Sequence, residues 1–213
     1  APDPDLDDIR AALRDIVSDD KRAGVVVSKA HAMLKRQETE FKAISLNDVV
    51  NDVTLILHSD ALIRRIGLRA ELADDVPAVM ADRVQLQQVV MNLLKNAAEA
   101  IDNAQLPAAR RRIELRVVPR HTAEEGDVIE FTVSDKGPGL KDEVIRRMYE
   151  AFFSTKVDGL GIGLSLCRSI IESHQGRIKA VNLYNGDTPI GCRFSFTLPV
   201  APSRIEPPAA VTA

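Results

Sequence analysis

From Leu6 onward, apolar or small side chains fall at Leu6, Ile9, Leu13 and Ile16, then at Ala23, Val27, Ala30 and Leu34. The steps alternate between three and four, with Asp20 as the polar interruption, so the spacing predicts a long helix with a heptad stripe. One helix cannot bury such a stripe against itself. It needs a second helix, another copy of the chain or the domain that follows. Beyond the charged stretch Lys35 to Lys42, Ser45-Leu46-Asn47-Asp48 has the composition of a helix start, and Val49, Val50, Val53, Leu57 and Ile63 supply the stripe to be buried. Leu68 to Leu72 alternates as a short strand. Asp82 is placed to cap a helix reaching about Asn103, with Leu86, Val89, Leu93, Ala97 and Ile101 at helical period and Pro107 closing the region.

Period two then takes over. Ile113, Leu115 and Val117 alternate with Glu114 and Arg116, and Ile129, Phe131 and Val133 alternate with Glu130, Thr132 and Ser134. Two half-buried strands are expected, joined as a hairpin around Thr122 to Asp127. A glycine- and charge-rich segment, Gly137 to Gly159, precedes an apolar helix from about Ile162 to His174 and two strands around Ile178 to Leu183 and Arg193 to Leu198. Mixed order without strict βαβ alternation predicts an α+β fold, a two-layer α/β sandwich with helices on one sheet face. The expected organisation is a long N-terminal helix over 1–40, a globular domain over 41–200 and a mobile tail over 201–213.

Composition narrows the class. With 213 residues, 45% hydrophobic and 28% charged, the chain can build a real core. A net charge of -3 argues against nucleic acid, so any polyanion it holds is small and locally recognised. Cys167 and Cys192 offer neither a metal-ligand spacing nor a disulfide framework, which points to a reducing, cytoplasmic setting. No apolar run approaches the roughly 18 residues of a membrane span, and the start APDPDL is not a signal peptide.

Chemistry enters on the second face of the Asp82 helix, where Gln88, Asn92, Lys95, Asn96, Glu99 and Asn103 recur in steps of three and four. Asn92 and Asn96, one turn apart, could direct neutral carbonyl oxygens at a weakly held Mg2+ shared with a phosphate; a plain wet helix face has the same pattern. Ser134-Asp135-Lys136-Gly137-Pro138-Gly139 ends a strand on a carboxylate beside permissive backbone, suited to an exocyclic amine and equally to a simple turn. Gly159-Leu160-Gly161-Ile162-Gly163-Leu164 opens directly into an apolar helix, a place where backbone N–H groups and the helix dipole favour an anion. It lacks the Gly-Lys-Ser/Thr ending of a Walker loop and no strand precedes it as a dinucleotide fingerprint requires. Just upstream, Phe152-Phe153-Ser154-Thr155-Lys156 sets two aromatics and a cation beside it; the aromatics read equally as core pieces.

In this order the four segments resemble one family. QQVVMNLLKNAAEAI, VSDKGPGL and FFSTKVDGLGIGLSLCRSIIESHQGRI are similar to the N box, first glycine box, and F and second glycine boxes of sensor histidine kinases. Their catalytic and ATP-binding domain belongs to the GHKL ATPase superfamily, and the resemblance runs from about Leu46 to Pro199. It implies the Bergerat-type sandwich, with ATP between the helices of the sheet and a lid over about Leu140 to Asp158. Asp135 would bind the adenine amine, and Gly137 and Gly139 would shape the pocket floor. Asn96 with Asn92 would hold Mg2+ on the phosphates, and the amides of Gly161 and Gly163 would cradle them. Lys95, Gly159 and Leu164 would complete the nucleotide-binding set, and Asn92 and Lys156 would carry the catalytic role. The seam helix Leu6 to Leu34 resembles the second helix of the dimerisation and histidine-phosphotransfer hairpin.

None of His31, His58, His121 or His174 is followed by an acid and an aliphatic residue as the family's acceptor is. The resemblance therefore implies an acceptor on a separate upstream helix, a response-regulator receiver as the next recipient, and a homodimer when the full hairpin is present. ATP binding without self-phosphorylation is expected of this chain. ATP-hydrolysing members such as gyrase, the mismatch-repair ATPases and the heat-shock chaperone carry Glu where Asn92 stands, so hydrolysis should be slow. Cys192 follows Gly191 where relatives often carry Thr or Ala. Two other readings fit the same motifs: a non-catalytic nucleotide-binding or interaction module, and an anti-sigma-type serine kinase, which would need neither a histidine nor the seam helix.

Overall fold

Strict alternation places Ile113, Leu115, Val117, Ile129, Phe131 and Val133 on one side of a sheet, where all are buried. The computed structural model describes residues 40–156 and 159–202, apart from the side chains of Leu62 and Ile63. The helix expected over Leu6 to Leu34, most of the tail, the burial of Ile63, and Val157 and Asp158 of the expected lid lie outside the described residues. The elements are β1 (Lys42–Ile44), α1 (Leu46–Ile63), β2 (Gly67–Leu72), β3 (Val79–Ala81), α2 (Arg83–Asn103), β4 (Arg112–Thr122), β5 (Gly126–Ser134), α3 (Asp142–Arg147), α4 (Gly163–Ser173), β6 (Arg177–Asn185) and β7 (Thr188–Pro199).

The main sheet has five strands in the order β2-β4-β5-β7-β6. Its pairs are antiparallel except β2 with β4, which run parallel because α2 crosses over between them. The hairpin turn is tighter than Thr122 to Asp127: β4 runs through Thr122 and β5 resumes at Gly126, where φ is +70. Two three-residue strands, β1 and β3, form a separate antiparallel pair. Helices α1, α2 and α4 complete the second layer. Phe131 and Phe196 stack across neighbouring strands with centroids 4.9 Å apart, and each such buried side chain stabilises the fold by about 1.5–3 kcal/mol. Opposite them, Glu130, Thr132 and Ser134 are also buried, because Arg120 pairs with Glu130 and Arg193 lies on Ser134. The arginine stems cover what alternation alone would leave wet.

Helix α2, which carries the Asn pair, is fixed at its start. Asp82 is extended, and its Oδ1 accepts the Gln85 N–H at 3.0 Å. The Asp82 N–H in turn donates to Nε2 of His174, at 3.0 Å, just past the end of α4. His174 is 3% exposed and its Nδ1 lies 2.8 Å from the Ile170 carbonyl, so the neutral ring with hydrogen on Nδ1 satisfies both bonds. Burial pushes its pKa down, opposed by the Ile170 carbonyl and the Asp82 carboxylate. A buried neutral histidine stabilises fully above the ordinary value of about 6.5; as pH falls below that, the unfolded chain takes the proton first and stability declines toward the lowered folded value. Urea midpoints should drop across that acidic interval in the wild type and show a shallower slope in His174→Gln. Identical pH slopes would contradict the arrangement.

Candidate functional site

The face of α2 opposite the core stripe carries the site. Leu86, Val89, Val90, Leu93, Leu94, Ala97 and Ile101 are buried, which leaves Asn92, Asn96 and Glu99 half-buried on a common side. At one end, Asn92 Nδ2 reaches toward the Gly163 carbonyl at 3.5 Å, bringing α2 against the mouth of α4. That mouth has no side-chain cap, so the first-turn amides, including those of Gly163 and Leu164, keep the partial positive charge of a helix start. Gly161 enters it with φ +65, and a Cβ there would lie 2.4 Å from the Phe152 carbonyl carbon; glycine alone fits. Gly159 donates its N–H to the Lys156 carbonyl at 3.2 Å.

Further along α2, Lys156 Nζ contacts Asn96 Oδ1 at 3.0 Å and pairs with the Glu99 carboxylate. One residue beyond Glu99, Ala100 meets the other half of the site: a Cβ on Gly137 would come 3.2 Å from the Ala100 Cβ and 2.9 Å from Asp135 Oδ1. Asp135 is 3% exposed. Its Oδ1 accepts the Gly137 N–H at 2.7 Å and the Cys192 N–H at 3.3 Å, while its own N–H donates to the Cys192 carbonyl at 3.0 Å. The Gly137 and Cys192 bonds both end on Oδ1, and a carboxylate has acceptor capacity on its second oxygen as well. Burial pushes the Asp135 pKa up, and the Gly137 and Cys192 N–H groups pull it part of the way back. Burial also pushes the Cys192 thiol up to about 12, so it adds no charge there at neutral pH.

From Asn92 to Ala100 the helix rises about 12 Å. A carboxylate acceptor lies toward one end of this helix face and an uncapped helix mouth toward the other. Among the described residues no cluster of three or more His, Cys, Asp or Glu side chains is arranged for a metal. The Asn96 carbonyl oxygen takes a cation in this structure, the Lys156 ammonium, and a neutral oxygen of this kind is chemically compatible with a divalent ion.

The structure thus brings together Asn92, Asn96, Lys156 and Gly163 as one group and Asp135 and Gly137 as another. Two expected members stand apart. Lys95 is exposed and lines a small apolar cavity with Leu57, Asp60 and Ala61 on the α1 side, away from both groups. Gly139 has φ +77 and backs onto Asn182 and Pro189 rather than the floor beside Asp135. The expected lid segment is partly ordered, since α3 occupies Asp142–Arg147. Phe152 is 73% exposed with φ +68, whereas Phe153 lies under the Arg147 guanidinium at 4.4 Å; of the two aromatics, Phe152 is not a core piece. Three contributors have no site role in the sequence reading. Asn182 brackets Leu140, accepting its N–H at 2.8 Å and donating to its carbonyl at 2.7 Å. Glu99 pairs with Lys156, a role its place on the polar stripe could have signalled. Gly191 lies under Asp135, where a Cβ would be 2.1 Å from the Asp135 carbonyl oxygen.

Comparison with known proteins gives a consistent picture. The family described as histidine kinase-, DNA gyrase B-, and HSP90-like ATPase matches residues 81–202. Sensor protein FixL of Bradyrhizobium diazoefficiens is 37% identical over 93% of this chain and 37% of its own length. The C4-dicarboxylate transport sensor protein DctS of Rhodobacter capsulatus is 32% identical over 93% of this chain and 29% of its own. The chain therefore spans about a third of the length of these curated relatives. Among solved structures, the catalytic domain of histidine kinase ThkA, nucleotide free, is 28% identical with a TM-score of 0.60, over 76% of this chain and 96% of that one. ThkA in complex with response regulator protein TrrA shares the fold at 23% identity, with a TM-score of 0.64, over 96% of this chain and 54% of that one.

Proposed function

This chain belongs to the histidine kinase-, DNA gyrase B- and HSP90-like ATPase family, and we propose that it is the ATP-binding catalytic domain of a two-component sensor histidine kinase, presenting the γ-phosphate of ATP to a histidine on a separate helix. The observation that carries this reading is the continuity along α2 between the buried Asp135 carboxylate and the uncapped mouth of α4. Asp135 Oδ2 accepts the adenine amine, and Gly137 leaves room for the ring. The amides around Gly161, Gly163 and Leu164 receive the phosphate oxygens, and the Lys156 ammonium offsets their charge. Asn96, aided by Asn92, offers the neutral oxygens that suit Mg2+. Bound there, the ion would neutralise charge developing on the transferred group.

Transfer itself asks the protein for alignment and charge compensation more than for covalent chemistry. Asn92 cannot take a proton from water, so ATP is spared hydrolysis until an imidazole nitrogen arrives in line. The relatives named as sensor kinases support the histidine as recipient, and the ThkA complex with TrrA supports a receiver domain as the partner that follows. The apolar stripe from Leu6 to Leu34 suits a hairpin helix that pairs into a homodimer, which would present the acceptor. Among the described residues no helix is long and apolar enough to cross a membrane and both cysteines are free; we assign the domain to the cytoplasm.

The test mixes this chain with ATP labelled on its γ-phosphate and a separate fragment bearing the acceptor hairpin of the same kinase. Acid-labile, base-stable phosphate should build up on the fragment, and none on this chain alone. Acid-stable phosphate on a protein partner, or no transfer from a chain that binds the nucleotide, would overturn the histidine-kinase reading.

A further inference from the structure

Resting on the nucleotide-site reading above, a second inference concerns how that site treats its metal. The Lys156 ammonium sits 3.0 Å from Asn96 Oδ1, the oxygen best suited to the divalent ion, and is ion-paired to Glu99 one turn along the same face. An ammonium and a divalent cation do not settle together on that one oxygen: it has two lone pairs, but the two positive charges would lie a few ångströms apart and repel. The pair is half-exposed, at 45% and 41%, so it is exchangeable rather than a fixed structural bridge.

We propose that Glu99 is a positioning residue that holds Lys156 on Asn96 while the site is free of nucleotide, and so makes tight binding depend on a metal-loaded triphosphate. Metal-free ATP can recruit Lys156 only by breaking the pair, which leaves the Glu99 carboxylate facing phosphate of like charge. A divalent ion on Asn96 displaces Lys156 toward the phosphates and meets the Glu99 charge itself. Glu99 therefore penalises the bare nucleotide and spares the loaded one.

Calorimetric titration of a non-hydrolysable ATP analogue, once with Mg2+ and once with EDTA, tests this on the wild type, Glu99→Gln and Glu99→Asp. The wild type should favour the Mg2+ condition. Glu99→Gln should tighten metal-free binding about three- to fivefold, the scale of a half-exposed ion pair, with a smaller change when Mg2+ is present. Glu99→Asp keeps the charge and should keep a ratio near that of the wild type. In the nucleotide-free protein, Glu99→Gln should also shift the side-chain amide resonances of Asn96, because the ammonium on its oxygen is no longer held there. A ratio unchanged in Glu99→Gln, an equal change in both conditions, or an unmoved Asn96 signal would overturn the inference while leaving the nucleotide site standing. A folded wild type that binds the analogue in neither condition would remove the nucleotide-site reading, and this inference with it.

Discussion

Replacing Asp135 by Asn should weaken ATP binding by about 1–3 kcal/mol, roughly five- to 150-fold, with little loss of folding stability. The two halves of the expectation come from the two oxygens. Oδ1 faces the Gly137 and Cys192 N–H donors, so an Asn at this position must keep its carbonyl oxygen there; the flipped amide would oppose donor to donor. That choice puts the NH2 group where Oδ2 stands, facing the adenine amine with a donor. Stability holds because the buried carboxylate, whose pKa burial raises, is replaced by a neutral group that keeps the same two bonds. The mispairing is specific to an amine: a purine with a carbonyl at that ring position should lose much less, or gain. The pH profile supplies a further check. As pH falls, a protonated Asp135 can no longer accept at both oxygens, so wild-type affinity should decline on the acid side, starting at a higher pH than for an ordinary Asp, and the Asn variant should lack that inflection. Unchanged affinity for ATP, measured by calorimetry at neutral pH, would sink the assignment of Asp135 to the base.

How much of this was legible before the fold was known varies by residue, for physical reasons. The Asp82 cap and the stripe from Leu86 to Ile101 are local, so α2 emerged with its observed ends, and the strict alternation of β4 and β5 was equally plain. β1 and β3, at three residues each, are too short to show a period; they exist because Lys42 to Ile44 finds Val79 to Ala81 in space. α3 was hidden in a segment whose charges and glycines read as loop. Within the site, groups defined by chain neighbours, such as Asp135 with Gly137, were found from the motif. Those defined by long-range packing were not: Asn182 is far in sequence from the Leu140 it brackets, and Gly191 from Asp135. Lys95 shows the opposite case. It adjoins Asn96 in sequence, but one residue turns a helix by about 100°, and its side chain lies toward α1, beside Leu57, Asp60 and Ala61.

Gly191→Ala should be the most damaging methyl group in the sheet. Gly191 is buried on β7, and an added Cβ would lie 2.1 Å from the Asp135 carbonyl oxygen and 3.3 Å from the Lys136 Cα. Both obstacles are backbone, so no rotamer change can relieve them. The end of β5 must lift away from β7, and the Asp135 N–H to Cys192 carbonyl bond goes with it. Overpacking of this kind costs about 3 kcal/mol, measurable as a drop in the urea midpoint at constant slope. Because the displaced peptide carries Asp135 itself, ATP affinity should fall as well, even at temperatures where the variant is fully folded. That double loss separates it from Asp135→Asn, which spares stability. Gly67→Ala in β2 is the internal control, since its Cβ would meet nothing closer than 3.8 Å and both readouts should stay near wild type. If Gly191→Ala matched Gly67→Ala in stability and in ATP affinity, the close seating of Asp135 on β7 would be refuted, and with it the positioning on which the proposed base contact depends.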